Sequence, residues 1–242
     1  MISNYRVENK FTIDDVRSFW DKVADIYEPT NKNVGYVHYQ RFEKTIEYGN
    51  IQHGSNILNI WSRTGNLIPY LRKIPNLTIY NREVSPAMAR LARRKFPNED
   101  FKLTDLENLE EFPDNTFNRV ISLETLEHAP KPLSFLKELR RILKPGGLLI
   151  MSLPPKGFEI PTKIYELFFQ NHGEGPHRFL WPKEVKSMLK NTKLTLIKHK
   201  PHIILPLMND RAERLSEKIL TGLFGRTPIS NFGVRHFYIC KK

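Results

Sequence analysis

The chain has 242 residues, 40% hydrophobic and 26% charged, and its 38 Lys and Arg against 26 Asp and Glu leave a net charge of +12. This is ordinary soluble-protein composition with room for a full core. The basic excess is spread along the chain, so it suits a solvated surface, or an anionic partner such as RNA, a phosphorylated substrate or a membrane surface. A single cysteine, Cys240, excludes an intramolecular disulfide and a thiolate metal cluster, and its place in a final strand suits packing. The first ten residues lack the apolar core of a signal peptide and no run approaches membrane-spanning length, so the expected location is the cytoplasm.

Thr12 with Asp14 and Asp15 reads as a helix start, and Val16, Phe19, Trp20, Val23, Ile26 and Tyr27 fall on one face. Pro29 is expected to end that helix. A second one runs through Tyr36, Tyr39, Phe42, Ile46 and Tyr48 to Gly49-Asn50. Residues 1–50 are therefore read as a helical lid, whose aromatic stripe serves either core or pocket. From residue 56 the pattern alternates, with strands at 56–60, 77–82, 100–103, 118–123 and 147–153 and helices at 65–73, 86–95 and 131–143. Such alternation calls for right-handed crossovers, a mostly parallel sheet covered by helices on both faces, and ligands at the carboxyl ends of the strands. Beyond Pro154-Pro155 come a short helix around Tyr165, Leu167 and Phe168, a helix at 182–190 and a strand at 193–199. Residues 155–181 and 202–232 read as insertions, the second helical with an apolar side that includes Leu215, Ile219 and Leu223. A last strand at 234–240 closes a domain spanning 51–242.

The stretch Asn56–Asn66 joins a buried strand, a tight loop ending in Gly65 and a helix, the nucleotide-binding corner of an α/β sheet. Glu83, followed by Val84, stands at the end of the second strand, where such a fold grips the two hydroxyls of an adenosine ribose. Asp105 follows the third strand, placed to accept from an adenine amino group while Leu106 and Met88 sandwich the ring.

The run from Asp105-Leu-Glu-Asn-Leu through Phe117-Asn-Arg-Val-Ile-Ser-Leu-Glu-Thr-Leu-Glu-His128 to Leu-Lys-Pro-Gly-Gly147 resembles the class I S-adenosylmethionine-dependent methyltransferases. It is most similar to their small-molecule group, which includes quinone-biosynthesis methylases, and the likeness covers about residues 55–155. The resemblance implies a Rossmann-like seven-stranded sheet whose last strand runs antiparallel. It also implies S-adenosylmethionine across the first strands, with Asn59, Gly65, Glu83, Val84, Met88, Asp105, Leu106 and Glu124 as its contacts. The glycine-rich loop is degenerate: Asn59 replaces the family's acid, and Trp61 and Arg63 replace two of its glycines. A cation at 63 is unfavourable beside a sulfonium unless it meets the methionine carboxylate or points outward. The expectation is that Gly65 still makes the close backbone approach, Asn59 faces the methionine end, and Trp61 turns away.

Glu124-Thr-Leu-Glu127-His128 resembles the Glu-x-x-Glu-His motif of metal-dependent members, quinone O-methyltransferases and small-RNA terminal 2′-O-methyltransferases, and His177-Arg-Phe-Leu-Trp181 resembles the downstream histidine of the latter. Glu124, Glu127, His128 and His177 together would suit Mg²⁺, Mn²⁺ or Zn²⁺. In metal-free relatives the same histidine lines the pocket or acts as a general base. Lys156, His172 and Arg178 either face an anionic substrate or form a solvated loop. The reading is methyl transfer from S-adenosylmethionine to an oxygen of a small or lipid-like acceptor, with His128 as base and membrane-surface contact compatible with it. The alternatives are a non-catalytic binding or partner protein of the same fold, and a metal-dependent RNA 2′-O-methyltransferase.

Overall fold

The computed structural model describes residues 8–168, 173–207 and 209–242. Its strands are β1 (Asn56–Ile60), β2 (Thr78–Glu83), β3 (Asp100–Leu103), β4 (Phe117–Leu123), β5 (Leu143–Leu153), β6 (Thr195–His202) and β7 (Arg235–Lys241). They form one seven-stranded sheet in the order β3-β2-β1-β4-β5-β7-β6. The first five strands pair in parallel, and β7 runs antiparallel to both β5 and β6. This is the Rossmann-like sheet that the resemblance implied.

The sheet is buried on both sides because its strands are apolar at consecutive positions, and successive side chains point to opposite faces. Leu58, Val120, Leu149 and Tyr238 belong to one core, and their neighbours Ile57, Ile121, Ile150 and Ile239 to the other. The first core is covered by α1 (Ile13–Lys22), α6 (Pro132–Ile142) and α8 (Pro182–Asn191), the second by α3 (Tyr36–Gly49) and α4 (Ile68–Leu71). Cys240 is buried in β7, where burial pushes its thiol up to about 12, in keeping with packing.

Thr12 caps α1 in a box with Asp15. Pro29 does not end a helix: it lies inside α2 (Ala24–Val34), and the chain breaks instead at Val23 and at Gly35, whose φ of 59° glycine adopts readily. The proline removes one backbone bond from α2 without stopping it. Asp21 of α1 accepts from the Ser85 hydroxyl at 2.5 Å and the Ala87 N–H at 2.9 Å, so α1 is fastened to the start of α5 (Pro86–Lys95). Pro145-Gly146-Gly147 is not a turn before β5 but lies within it, where the pairing with β4 shifts register.

After β5 a 3₁₀ turn at Lys156–Phe158 leads into α7 (Glu159–Phe168); the expected helix around Tyr165, Leu167 and Phe168 is there, though the side chains of 165–168 lie outside the described residues. Between β6 and β7 stand α9 (Asp210–Phe224) and a 3₁₀ turn at Pro228–Phe232. Among the described residues no helix is long and apolar enough to cross a membrane.

Candidate active site at the strand ends

Beyond the carboxyl ends of β1, β4 and β5 the chain encloses a cavity of about 350 Å³. The sheet contributes Asn59, Trp61, Arg63, Leu123, Glu124 and Pro154 to its lining, and α2 and α3 contribute Asn31, His38 and Arg41. The insertions supply a largely apolar side, with Phe158, Leu205 and Phe232.

The loop after β1 keeps a glycine-shaped backbone without the glycines. Trp61, Arg63 and Gly65 have φ of 55°, 52° and 82°. For the first two this left-handed conformation costs on the order of 1 kcal/mol each. The compensation is visible in their side chains. The Arg63 guanidinium carbon lies 3.6 Å from the ring centres of both Trp20 and Trp61, whose planes stand at 88° to each other, so the cation sits in the corner of two indole faces. Trp61 also meets His128 edge to face, with ring centres 4.8 Å apart. Burial pushes the Arg63 guanidinium down to about 10, against the pull of Glu83. Trp61 therefore does not turn away from the site: positive φ at the strand end aims its indole at the cavity lining, where Trp20 and His128 receive it.

Glu83 is tied to the same loop through its backbone. Its carboxylate is fully buried and accepts from the backbone N–H groups of Arg63 at 2.6 Å, Val84 at 3.0 Å and Ser85 at 3.0 Å. Val84, Met88 and Leu106 share one buried cluster with Trp20 and Trp61, and Asp105 accepts from the Glu107 N–H at 2.9 Å. None of Glu83, Val84, Met88, Asp105 and Leu106 lines the cavity, whereas Asn59 does, its amide donating to Asn81 Oδ1 at 2.9 Å. The close approach at Gly65 is to Phe96 and Phe101, since a Cβ there would come within 2.9 Å of each ring.

Beside Trp61 a 3₁₀ turn at Leu126–His128 presents His128. Its Nδ1 lies 2.8 Å from the Pro176 carbonyl, which can only accept, so Nδ1 carries the proton and Nε2 is the basic nitrogen. Burial, followed by the Arg63 cation, holds this imidazole well below the usual histidine range, and it is neutral. Glu124 accepts from the Ser152 hydroxyl at 2.6 Å and faces Arg235 Nε across 3.5 Å. The Glu127 carboxyl, buried and without a hydrogen bond, is pushed well above the carboxylate range, first by burial and then by Glu124.

The expected metal set is not assembled. Glu124 and His128 line the cavity while Glu127 and His177 do not, and His177 turns its Nδ1 onto the Gly175 carbonyl at 2.8 Å. Among the described residues no three His, Cys, Asp or Glu side chains gather as a metal ion requires. The motif spacing alone suggested otherwise because it carries no sign that the Glu127 carboxyl is buried off the lining or that His177 is turned onto a backbone carbonyl. The metal part of the argument for RNA methylation loses its support with it, and the net charge of +12 is what remains of that alternative. Lys156 pairs with Glu159 at 2.6 Å, and Arg178 binds Asn9 at 2.7 Å and Glu184 at 3.2 Å, so both brace the insertion; His172 lies outside the described residues.

Two cavity residues escaped the sequence reading. Arg235, opening β7, donates to the Val37 carbonyl and to Gln40 Oε1, both at 2.8 Å, and Arg41 of α3 donates to the Tyr27 hydroxyl at 3.2 Å. With Arg63 they place three guanidiniums on the cavity lining. A charged residue at the start of the apolar run Phe237–Cys240 was the one available signal for Arg235.

A sheet of this order with its cavity at the strand ends defines the class I methyltransferase fold. Residues 58–151 match the family model of a methyltransferase domain. The chain is 28% identical over 163 residues to a demethylmenaquinone methyltransferase of Chlorobaculum parvum, covering 64% of this chain and 67% of that protein. It is 27% identical over 124 residues to a ubiquinone biosynthesis O-methyltransferase of Xanthomonas oryzae pv. oryzae, covering 47% and 52%. Its structure is similar to that of a SAM-dependent methyltransferase of Thermotoga maritima, with a TM-score of 0.71 at 18% identity over 93% of this chain and 99% of that one. Residues 58–151 are thus methyltransferase-like in sequence and the chain has the fold of the S-adenosylmethionine-dependent methyltransferases, with a loop after β1 that departs from the family pattern.

Proposed function

We propose that the chain transfers a methyl group from S-adenosylmethionine to an oxygen of a small or lipid-like acceptor in the strand-end cavity, with His128 as base. The observation that carries this reading is a neutral imidazole on the cavity lining whose Nδ1 is fixed by the Pro176 carbonyl, leaving Nε2 to accept a proton.

The residues present fit the cofactor in type and order. Glu83 would meet the ribose hydroxyls, Val84, Met88 and Leu106 the adenine faces, and Asp105 its amino group, while Asn59, Gly65 and Glu124 would border the methionine end. At that end Asn59 offers an amide where a carboxylate is usual, and Arg63 suits only the methionine carboxylate. Because Glu83 is fully buried and off the cavity lining, holding the group there requires neighbouring side chains to move, and the Arg63 guanidinium set against Trp20 and Trp61 is the one this reading assigns. The helices of residues 1–50 would act as the lid, with α1 tied to α5 through Asp21.

The bound cofactor supplies a methyl group on a cationic sulfur. What the protein must add is a positioned, deprotonated oxygen. Burial makes His128 a weak base, so a second influence is needed, and Arg41, Arg63 and Arg235 lower the pKa of a hydroxyl placed among them. Glu124, on the same lining, favours the imidazolium once the proton has moved. The apolar insertion side and the menaquinone and ubiquinone relatives support a lipid-like acceptor.

Calorimetry with S-adenosylmethionine, followed by labelled-methyl transfer to a panel of short-chain catechols and quinols, tests the reading. His128→Gln is expected to lower the rate about a hundredfold or more while keeping cofactor affinity. A variant as fast as the wild type removes His128 from the mechanism, and no heat at millimolar cofactor removes methyl transfer. The latter result would favour the second reading, a binding or partner role without methyl transfer, for which the burial of Glu83 away from the cavity is the specific observation.

A further inference from the structure

The helix α9 has its polar and apolar sides reversed. Glu213, Ser216 and Glu217 face inward and are buried. Glu217 accepts from Gln40 at 2.7 Å and from the Tyr36 hydroxyl, and shares a 2.5 Å contact with His202 Nδ1. Ser216 accepts from the Leu205 N–H at 3.1 Å, Glu213 from the Leu207 N–H at 3.0 Å and Thr221 from the Ile203 N–H at 3.0 Å. These bonds fasten segment 203–207 to the helix. The outward side carries Leu215, Ile219 and Leu223, which are 57%, 48% and 65% exposed. A helix facing water shows the opposite pattern.

The exposed apolar surface continues beyond the helix to the rim of the cavity. Ile229 and Phe232 in the 228–232 turn and Ile160 and Ile164 on α7 are exposed as well. The two segments touch closely, for a Cβ on Gly157 would stand 2.3 Å from the Asn231 carbonyl oxygen. Leu205 and Phe232 are both exposed and cavity-lining, so the patch and the mouth are one surface. Beyond Asp210 at its first position, the exposed charges of α9 are Arg211, Arg214 and Lys218, followed by Arg226 just past its end. Arg214 is held by Glu43 at 2.7 Å.

We propose that this face docks the protein on an anionic lipid bilayer, with Leu215, Ile219, Leu223 and Phe232 entering the headgroup layer and the arginines and lysine meeting lipid phosphates, so that the cavity mouth opens toward the membrane. The proposal rests on the lipid-like acceptor inferred above, and it gives that acceptor a route that avoids water. Charge favours lipid over a second copy of the chain, because a two-fold pairing of this face would bring like-charged rows together. The basic side chains and the overall charge of +12 instead complement an anionic surface.

The test is flotation of the full chain with vesicles of phosphatidylcholine alone and of phosphatidylcholine mixed with phosphatidylglycerol, without cofactor or acceptor. Wild type is expected to float with the mixed vesicles and less so as salt rises. Leu215→Asp with Leu223→Asp should lower the partition coefficient about tenfold or more. Lys218→Ala and Arg226→Ala should each lower it about fivefold on the mixed vesicles and leave weak binding to phosphatidylcholine unchanged. All four positions are exposed, and circular dichroism checks that the variants fold. No flotation at millimolar lipid, variants that float like the wild type, or a concentration-dependent self-association abolished by Leu223→Asp would overturn the proposal, the last in favour of a second copy. Methyl transfer to a water-soluble acceptor needs no vesicle and flotation needs no acceptor, so failure of either reading leaves the other measurable.

Discussion

Arg63 departs furthest from what its position implies for chemistry. A guanidinium against two indole faces gains about 0.5 to 2 kcal/mol from each face, depending on desolvation, and the Glu83 that accepts from the Arg63 backbone is fully buried. Replacing Trp61 and Arg63 together with glycine removes the stack and suits the left-handed backbone at both positions. The double variant should bind S-adenosylmethionine about tenfold more tightly or better by calorimetry; unchanged affinity would mean that the stack does not gate the cofactor. His128 gives a pH prediction. Its folded pKa is depressed, so the imidazole stays neutral and able to accept a proton down to well below 6.5, and the acid limb of the pH–rate profile should lie there. Because the Arg63 cation contributes to the depression, Arg63→Gly should move that limb to higher pH. An acid limb at or above 6.5 in the wild type would contradict the assignment. The sequence singled out positions 59, 61 and 63 as departures, but not where their side chains go. That depends on φ at each residue and on Trp20, which comes from a different helix.

The strands and most helices were legible because their apolar periods are local: β1, β4 and β5 carry the short apolar runs Ile57-Leu58, Val120-Ile121 and Leu148-Leu149-Ile150-Met151, and α6 repeats its apolar residues at helical spacing. Pro29 was misread because helix breaking was assigned to the proline instead of to Gly35. In α9 the stripe of Leu215, Ile219 and Leu223 was legible but its direction was not, since the partners of Glu213, Ser216 and Glu217 come from α3, β6 and the segment after it. Those partners make Glu217 a stability element. Burial opposes its charge, but His202, Tyr36 and Gln40 hold its carboxyl down to about 2 against an ordinary 4.5. A depressed carboxylate stabilises the fold above its unfolded pKa and loses that contribution as pH falls from about 4.5 toward 2. Urea midpoints measured between neutral pH and that window should therefore fall more steeply for the wild type than for Glu217→Gln, which starts lower and stays flatter. Parallel slopes would mean that the network does not hold the charge.

For the molecule as a whole, the seven-stranded sheet with its antiparallel last strand followed from the resemblance over residues 55–155 and is present, whereas the strand order and the outline of the cavity come from the structure. The acceptor side was illegible for a physical reason. Its lining comes from α2, α3, the 3₁₀ turn after β5, the segment after β6 and the start of β7, pieces distant in sequence whose meeting only the folded sheet determines. Arg41 and Arg235 belong to that group, and each looks like an ordinary surface charge until the fold brings it beside Glu124 and Arg63.

The Trp20–Arg63–Trp61 cluster also gives the protein an optical signal of its own. The chain has three tryptophans, and two of them flank the guanidinium while the third, Trp181, is 39% exposed at the start of α8. Any ligand that displaces Arg63 changes the polarity around two of the three emitters and leaves the third as a steady background. The emission spectrum of unlabelled protein can therefore follow occupancy of the site directly, and in the Trp61→Gly, Arg63→Gly variant the ligand-dependent part of that signal should shrink to what Trp20 alone supplies.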